Sequence, residues 1–384
     1  MDIVKTQHAL DEAISKEVNE GLLKGYMFGV LKDGKEILFS KAGKVSNSQG
    51  DISRETIFRI FSVTKVFTMI SLSFLLDGGL LSLSDSVEKY IPAFKNATYM
   101  DDENSLHHTT RLLTISDLVD MRSGLSYADP RCFNGKVVTD LFAEIAKRRG
   151  TKNAMTLEEF ASRVGSSPLA FDPGSHWRYG VSADIVGRII EVVSGKSFRD
   201  FMMERIFKPL NMEDTDFYVP LNKKNRLMPV YSPNEEGVLQ PDYSEYLGTS
   251  PYGEMQPFYS GGAGLFSTFN DLVKFAKAFD PSSGFIKQST IDLLSLKNEP
   301  YDSNLLDYAL WNPLKGTNYR HLVRVMKDDS LEDTFVKNGE FGWDGWVGAY
   351  FKINPNSRMA YVGLTSKINY GTGPLTKYIR KNIV

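Results

Sequence analysis

The chain has 384 residues, 42% hydrophobic and 24% charged, a composition that buries a core without metals or disulfide staples and excludes disorder or a fibrous repeat as its overall description. Its 45 Lys+Arg against 47 Asp+Glu leave a net charge of -2. With no basic run and no aromatic–basic alternation, no nucleic-acid partner is expected.

The N-terminus Met1-Asp2-Ile3-Val4-Lys5 opens with an acid and lacks the apolar stretch of a signal peptide. No apolar run approaches the roughly 20 residues of a membrane span, so a cytoplasmic protein without a membrane span is expected. Ala9, Ile14, Val18 and Leu22 predict a helix over about 7–23. Tyr26–Leu31 and Glu36–Ser40 predict a hairpin about Asp33-Gly34, because both turn positions need positive φ. Thr56–Phe61 leads into an apolar helix, Val63–Leu76, closed by Asp77-Gly78-Gly79. Ser84-Asp85 and Thr114–Asp117 can each open a helix, the second ending near Ser123-Gly124. Thr156–Val164, Ser182–Val193 and Phe198–Phe207 continue the helical pattern. Residues 221–258, rich in Pro, Asn, Gly and Tyr, read as a long irregular excursion. Gly261–Thr268 then reads as a glycine-rich strand, with Asn270-Asp271 capping a helix through Phe279. The tail is strand-like at Tyr319–Met326, Trp346–Ile353 and Arg358–Thr365, and a final helix starts near Pro374. Strands at both ends with helices between predict an α/β (α+β) fold: one antiparallel sheet flanked by helices, with a mainly helical domain inserted. The expected division is 1–80 with 255–384 as a discontinuous sheet domain and 81–254 as the helical domain, the site lying between them.

Several chemistries have no sequence support. There is no G-x-S-x-G elbow, since Gly180-Val181-Ser182-Ala183-Asp184 ends in the wrong residue, and no P-loop or G-x-G-x-x-G opening a helix. Cys132 is the only cysteine, which leaves no internal disulfide or thiolate zinc cluster, and it is expected to pack as a small residue. His107-His108 follow acidic residues in a polar stretch and are expected to be solvated, so no metal and no cofactor are expected. Ser62-Val63-Thr64-Lys65 is different. The serine falls where a strand gives way to an apolar helix, and i and i+3 share a helix face, so the amine reaches the hydroxyl. An apolar setting lowers a lysine pKa and lets a neutral amine act as base. A helix start supplies free N–H groups for an oxyanion.

Two further segments give the pair a context: Phe171-Asp172-Pro173-Gly174-Ser175-His176-Trp177-Arg178-Tyr179-Gly180-Val181-Ser182 and Gly342-Trp343-Asp344-Gly345-Trp346-Val347-Gly348. Together with Ser62-Val63-Thr64-Lys65 they resemble, in order and over nearly the whole chain, the three motifs of the serine β-lactamase-like family. That family spans class C β-lactamases, low-molecular-weight penicillin-binding proteins, D-aminopeptidases and family VIII-type esterases. The resemblance implies Ser62 as the acylated nucleophile, with Lys65 and Tyr179 as the acid/base pair, and leaves open which is the base in each step. It implies an oxyanion hole of the Ser62 and Trp346 backbone N–H groups. It implies that Gly345 lets the strand approach the acyl group, and that Tyr127, after Ser123-Gly124-Leu125-Ser126, lines the pocket.

The departures narrow the activity. Where β-lactamases carry Tyr-x-Asn this chain has Val181, and where they carry Lys-Thr-Gly it has Trp343-Asp344-Gly345. A β-lactam or D-Ala-D-Ala carboxylate needs a cation there, and Asp344 has the wrong sign. Trp-x-Gly resembles the esterase branch. The expectation is a serine hydrolase that cleaves short-chain carboxylic esters through an acyl-enzyme, with Trp343, Asp344, Gly345, Tyr127 and Val181 toward the substrate. The alternatives are a D-amino-acid peptidase or amidase, a β-lactamase, an acyltransferase, or an idle penicillin-recognising protein. His176 and Asp184 are expected to be structural. Tyr252, Phe258 and Tyr259 are candidate acyl-pocket walls.

Overall fold

Asp2 caps the first helix by accepting the Lys5 amide, and α1 (Ile3–Asn19) turns Leu10 and Ile14 inward. The computed structural model describes residues 2–46, 49–101, 103–250, 257–300, 315–331 and 335–383. Strands β1 (Gly25–Lys32) and β2 (Lys35–Ser46) form the expected hairpin, with Asp33 and Gly34 at φ 52° and 69°. Strands β3 (Gln49–Asp51) and β4 (Ile57–Arg59) follow, then α2 (Thr64–Asp77), a helix buried on nearly every side. A small hairpin, β5 (Thr98–Met100) and β6 (Leu106–His108), takes up the paired histidines, and His107 sits 2.8 Å from Asp101.

The helical stretch comprises α3 (Ile115–Val119), α4 (Phe133–Arg148), α5 (Leu157–Gly165), α6 (Ser182–Ser194) and α7 (Phe198–Met202). The expected helix to Ser123-Gly124 stops at Val119, because Met121 takes φ 56°. Helix α4 was not anticipated, although Val138, Leu141 and Ile145 recur at helical spacing and are buried. Within the irregular excursion a hairpin appears, β7 (Val230–Pro233) with β8 (Leu239–Asp242).

The C-terminal part supplies β9 (Phe266–Thr268), α8 (Phe269–Lys277), α9 (Gln288–Leu294), β10 (Thr317–Arg320), β11 (Val323–Met326), β12 (Phe341–Asp344), β13 (Tyr350–Asn354), β14 (Met359–Thr365) and α10 (Pro374–Asn382). Three expectations are corrected here. The glycine-rich run is strand only at β9, since its first half is pinned into a turn by Gly264 N donating to Ser260 O at 3.0 Å. The cap of α8 is Thr268, not Asn270-Asp271. Trp346 lies in the turn between β12 and β13, not on a strand, because Gly345 N closes onto Ala349 O at 2.7 Å.

Eight strands form one antiparallel sheet in the order β10-β11-β12-β13-β14-β1-β2-β3, so both ends of the chain do build it. Helices α1 and α10 cover one face through Leu10, Ile14, Tyr26, Phe28, Tyr350 and Ile379. Helices α2 and α8 cover the other, where Phe275 packs on Phe351 at 5.3 Å and on Phe67 at 3.9 Å. Strand β1 is buried on both faces, which is why it reads as an unbroken apolar run. The fold class is as expected, a mixed α/β architecture around a large antiparallel sheet.

Candidate active site

The short strand β4 pairs with β9 and ends at Arg59. A 3-10 turn, Phe61–Val63, then carries the chain into α2. Phe61 takes φ 42°, a left-handed conformation costly for a bulky residue. The bend holds Ser62 almost out of solvent, 8% exposed, with its side chain not used as a helix cap. Lys65 lies in the first turn of α2 and is fully buried. Its Nζ sits 3.2 Å from Ser62 Oγ, 3.0 Å from Tyr127 OH and 2.8 Å from Gly262 O. Burial lowers this amine to about 7, against the opposing pull of the Asp184 charge.

Tyr179 lies in the turn ahead of α6, where Arg178 N donates to Met121 O at 2.8 Å. Its hydroxyl accepts the Trp343 indole N–H at 2.9 Å, and the nearby Ser62 side chain works against the effect of burial on the phenol. Lys65 Nζ is 4.5 Å from the centre of its ring. Burial pushes the phenol of Tyr179 above its ordinary value, and that of Tyr127 likewise. Two protonated phenols therefore flank an amine poised near neutrality.

Asp184 is the buried hydrogen-bonding group expected, and it does more than open α6. It accepts from Ser260 Oγ at 2.5 Å and from Gly262 N at 3.2 Å, so it fixes the turn whose Gly262 carbonyl receives Lys65. A Cβ at Gly262 would lie 2.8 Å from Tyr127 OH and 3.0 Å from Asp184 Oδ2, so a side chain there would displace the groups around Lys65.

Strand β12 closes the site. A Cβ at Gly345 would meet Ile60 O at 2.4 Å, so this glycine lets the strand end touch the turn that bears Ser62. In the register Trp343 pairs with Phe351 and Asp344 with Tyr350, and paired residues share a face. Trp343 thus looks toward Tyr179, whereas Asp344 looks into the α1/α10 layer and pairs with Arg324 at 3.2 Å. The expectation of Asp344 at the substrate is corrected: neighbours on a strand point to opposite faces. Val181 is also displaced from its expected role, being fully buried in the main core. Phe258 packs on Phe160 at 4.9 Å and Tyr259 on Phe217 at 5.2 Å, in the helical core and not around Ser62. Tyr252 lies outside the described residues. His176 meets Ser175 and Phe171, and Cys132 accepts a contact from Arg178 at 3.3 Å.

Two aromatic residues at the site escaped sequence reasoning. Tyr319 of β10 packs edge-on against Trp343 at 4.8 Å, and Tyr246 packs edge-on against Trp346 at 4.8 Å. Aromatic richness of the segment around Tyr246 was the only available signal. Among the described residues no set of three His, Cys, Asp or Glu side chains converges on a metal position, and no helix is long and apolar enough to cross a membrane.

Comparison with known proteins gives the family and the fold. A family model described as Beta-lactamase matches residues 10–378. Esterase EstB of Burkholderia gladioli is 25% identical over 399 residues, covering 99% of this chain and 95% of that protein. Among solved structures, EstCE1, described as a hydrolase with promiscuous acyltransferase activity, superposes with a TM-score of 0.79 at 21% identity, covering 99% of this chain and 98% of that one. Unliganded simvastatin synthase (LovD) from Aspergillus terreus gives a TM-score of 0.77 at 18% identity, covering 100% and 97%.

Proposed function

The chain belongs to the beta-lactamase family and is a serine hydrolase of that fold; from this premise we propose that it cleaves short-chain carboxylic esters through an acyl-enzyme on Ser62. The observation that carries the reading is the Trp343 indole N–H on the Tyr179 hydroxyl, in the strand position where a carboxylate-binding cation would stand. Nothing in the third motif then offers charge to an anionic substrate, because Asp344 faces away, paired with Arg324. A neutral ester asks for no such partner.

The roles follow from geometry and proton affinity. Lys65, lowered to about 7, takes the Ser62 proton as Oγ attacks the ester carbonyl. The Ser62 and Trp346 backbone N–H groups receive the oxyanion, brought together by the Gly345–Ile60 contact. Tyr179, its phenol held protonated by burial, delivers a proton to the departing alcohol, and Trp343 keeps its hydroxyl aimed. Lys65 passes the Ser62 proton on to restore the Tyr179 phenol; the neutral amine then takes a proton from the water that attacks the acyl carbon and gives it back to Ser62 Oγ as the acid leaves. Tyr127 shares the Lys65 amine and orients it. We further propose that 1–80 with 255–384 form one domain and 81–254 the other, since the main sheet draws its strands from the first of these sets.

Acyl transfer to an alcohol is the same chemistry with a different acceptor, and the description of EstCE1 supports it as a second reading. The test is p-nitrophenyl butyrate hydrolysis by the wild type and Ser62→Ala, with a chromogenic cephalosporin alongside. Ester turnover lost in the variant, with little cephalosporin cleavage by the wild type, is the expected result. Ester turnover surviving in Ser62→Ala would remove the mechanism. An added primary alcohol that diverts product from acid to ester would establish transfer.

A further inference from the structure

The segment from Asp242 to Thr249 is irregular but firmly tied. Tyr246 and Thr249 bridge each other, and between them Leu247 and Gly248 take φ 53° and 69°. Glycine adopts this conformation freely, whereas leucine is strained there by about 1–2 kcal/mol. Two arginines grip the turn. Arg59, at the end of β4, donates to Thr249 O at 3.1 Å and to Thr249 Oγ1 at 2.6 Å. Arg149, just beyond α4, donates to Gly248 O at 3.0 Å and pairs with Glu245. The Tyr246 hydroxyl donates to Asp242 Oδ2 at 2.5 Å.

These ties hold one ring in place. Tyr246 stands edge-on to Trp346 at 4.8 Å and to Phe61, the neighbour of Ser62, at 6.4 Å. The Arg59 guanidinium lies 4.7 Å from the Phe61 ring, so one cation touches both the bend that presents Ser62 and the tied turn. Tyr246 and Trp346 are both partly exposed. In the proposed mechanism Tyr179 takes the leaving-group side and the Trp346 amide the oxyanion; the Trp346 and Tyr246 rings stand beside the bend that presents Ser62, packing edge-on to Phe61 at 5.7 and 6.4 Å. A small cavity lined by Arg59, Met228, Val230, Asp242 and Ser244 adjoins the start of the segment.

We infer that residues 242–249 form a strap that fixes Tyr246 as the acyl-side wall of the site, and that Arg59 and Arg149 are positioning residues whose grip sets the acyl length accepted. The inference rests on Ser62 as nucleophile, not on the ester reading. The test is the rate at which methyl- and decyl-substituted fluorophosphonates label Ser62, where the Oγ–P bond forms, the P–F bond breaks and fluoride departs with the serine proton on Lys65. The ratio of decyl to methyl rates rises about tenfold in Tyr246→Ala and about threefold in Thr249→Val, a mild change that covers the case in which the alanine variant fails to fold. Both rates falling together, with an unchanged ratio, is what a merely structural strap gives and overturns the proposal. So does the absence of labelling at Ser62 in the wild type. A shifted ratio in an enzyme without p-nitrophenyl butyrate turnover keeps the strap and removes the ester reading.

Discussion

The two faces of the sheet at β12 each bury a lysine, and only one of them makes a site. On the α2/α8 face, Lys65 touches a serine hydroxyl, a phenol and a carbonyl, with Asp184 behind the last of these. On the α1/α10 face, Lys352 stands opposite Gly342 among Arg324, Asp344, Glu340 and Arg380. Burial depresses both amines. A perturbed lysine is therefore weak evidence of function by itself. What separates the two is company: Lys65 has a nucleophile within reach, whereas Lys352 stands among charges and against the Trp343 and Tyr350 rings, with no hydroxyl nucleophile among the described contacts of its amine.

The largest effect expected from breaking this difference falls on Ser62 and Lys65. Ser62→Ala and Lys65→Met each lower kcat/KM for p-nitrophenyl butyrate by about 10⁴-fold or more. The far face answers in the opposite currency. Arg380 and Glu340 are 2% and 1% exposed and pair at 2.8 Å. Glu340→Gln leaves a buried guanidinium half-satisfied and destabilises by about 3–5 kcal/mol, read by denaturant unfolding, while kcat/KM of the folded fraction stays within twofold (about 0.4 kcal/mol).

Tyr179→Phe removes the proton donor and lowers kcat by about 10²–10³-fold. Trp343→Phe keeps the ring but loses the N–H that aims Tyr179, and lowers kcat by about tenfold. Equal effects of the two would mean that Tyr179 acts only through its packing. The pH profile sharpens the comparison further. Lys65 must be neutral to accept a proton, so kcat/KM rises as pH passes about 7. Asp184 favours the ammonium form, so Asp184→Asn moves this acid limb to lower pH, measured as kcat/KM against pH. A limb that stays in place would show that Asp184 holds the Gly262 turn without reaching the amine.

How much of this was legible in sequence differs from residue to residue. The Ser62–Lys65 contact follows from i, i+3 geometry on a helix and needed nothing else. Tyr179 and Trp343 lie far off along the chain, and only a family resemblance linked them. The resemblance places Trp343 and Asp344 together in one motif, but only the strand's bounds part them: a strand over Phe341–Asp344 sends them to opposite faces. Tyr246 was illegible because no periodicity governs a tied turn whose partners, Arg59 and Arg149, are distant in sequence. The sheet, by comparison, was readable from alternation and turn chemistry at both ends of the chain.

The smallest effect is the sharpest test of the comparison. Lys352 is 2% exposed, and burial holds its amine well below the ordinary lysine value, with Arg324 acting in the same direction and Asp344 and Glu340 against it. The unfolded chain keeps this proton up to about 10.5, the ordinary lysine value, so unfolding takes up a proton anywhere between the two values. The group's contribution to stability therefore grows as pH rises through that window and is lost toward neutral pH. Lys352→Met removes the unfavourable burial at pH 7, stabilises by about 1 kcal/mol and flattens the rise in stability between pH 7 and 9. Thermal unfolding at the two pH values measures both. Lys65 adds to the same slope from the other face, since it too is depressed, and Lys65→Met flattens it as well. The two variants part company on activity: the acid limb of ester hydrolysis keeps its position in Lys352→Met. A limb displaced by that substitution would show the two faces to be electrostatically one site, and the division drawn at β12 would fail.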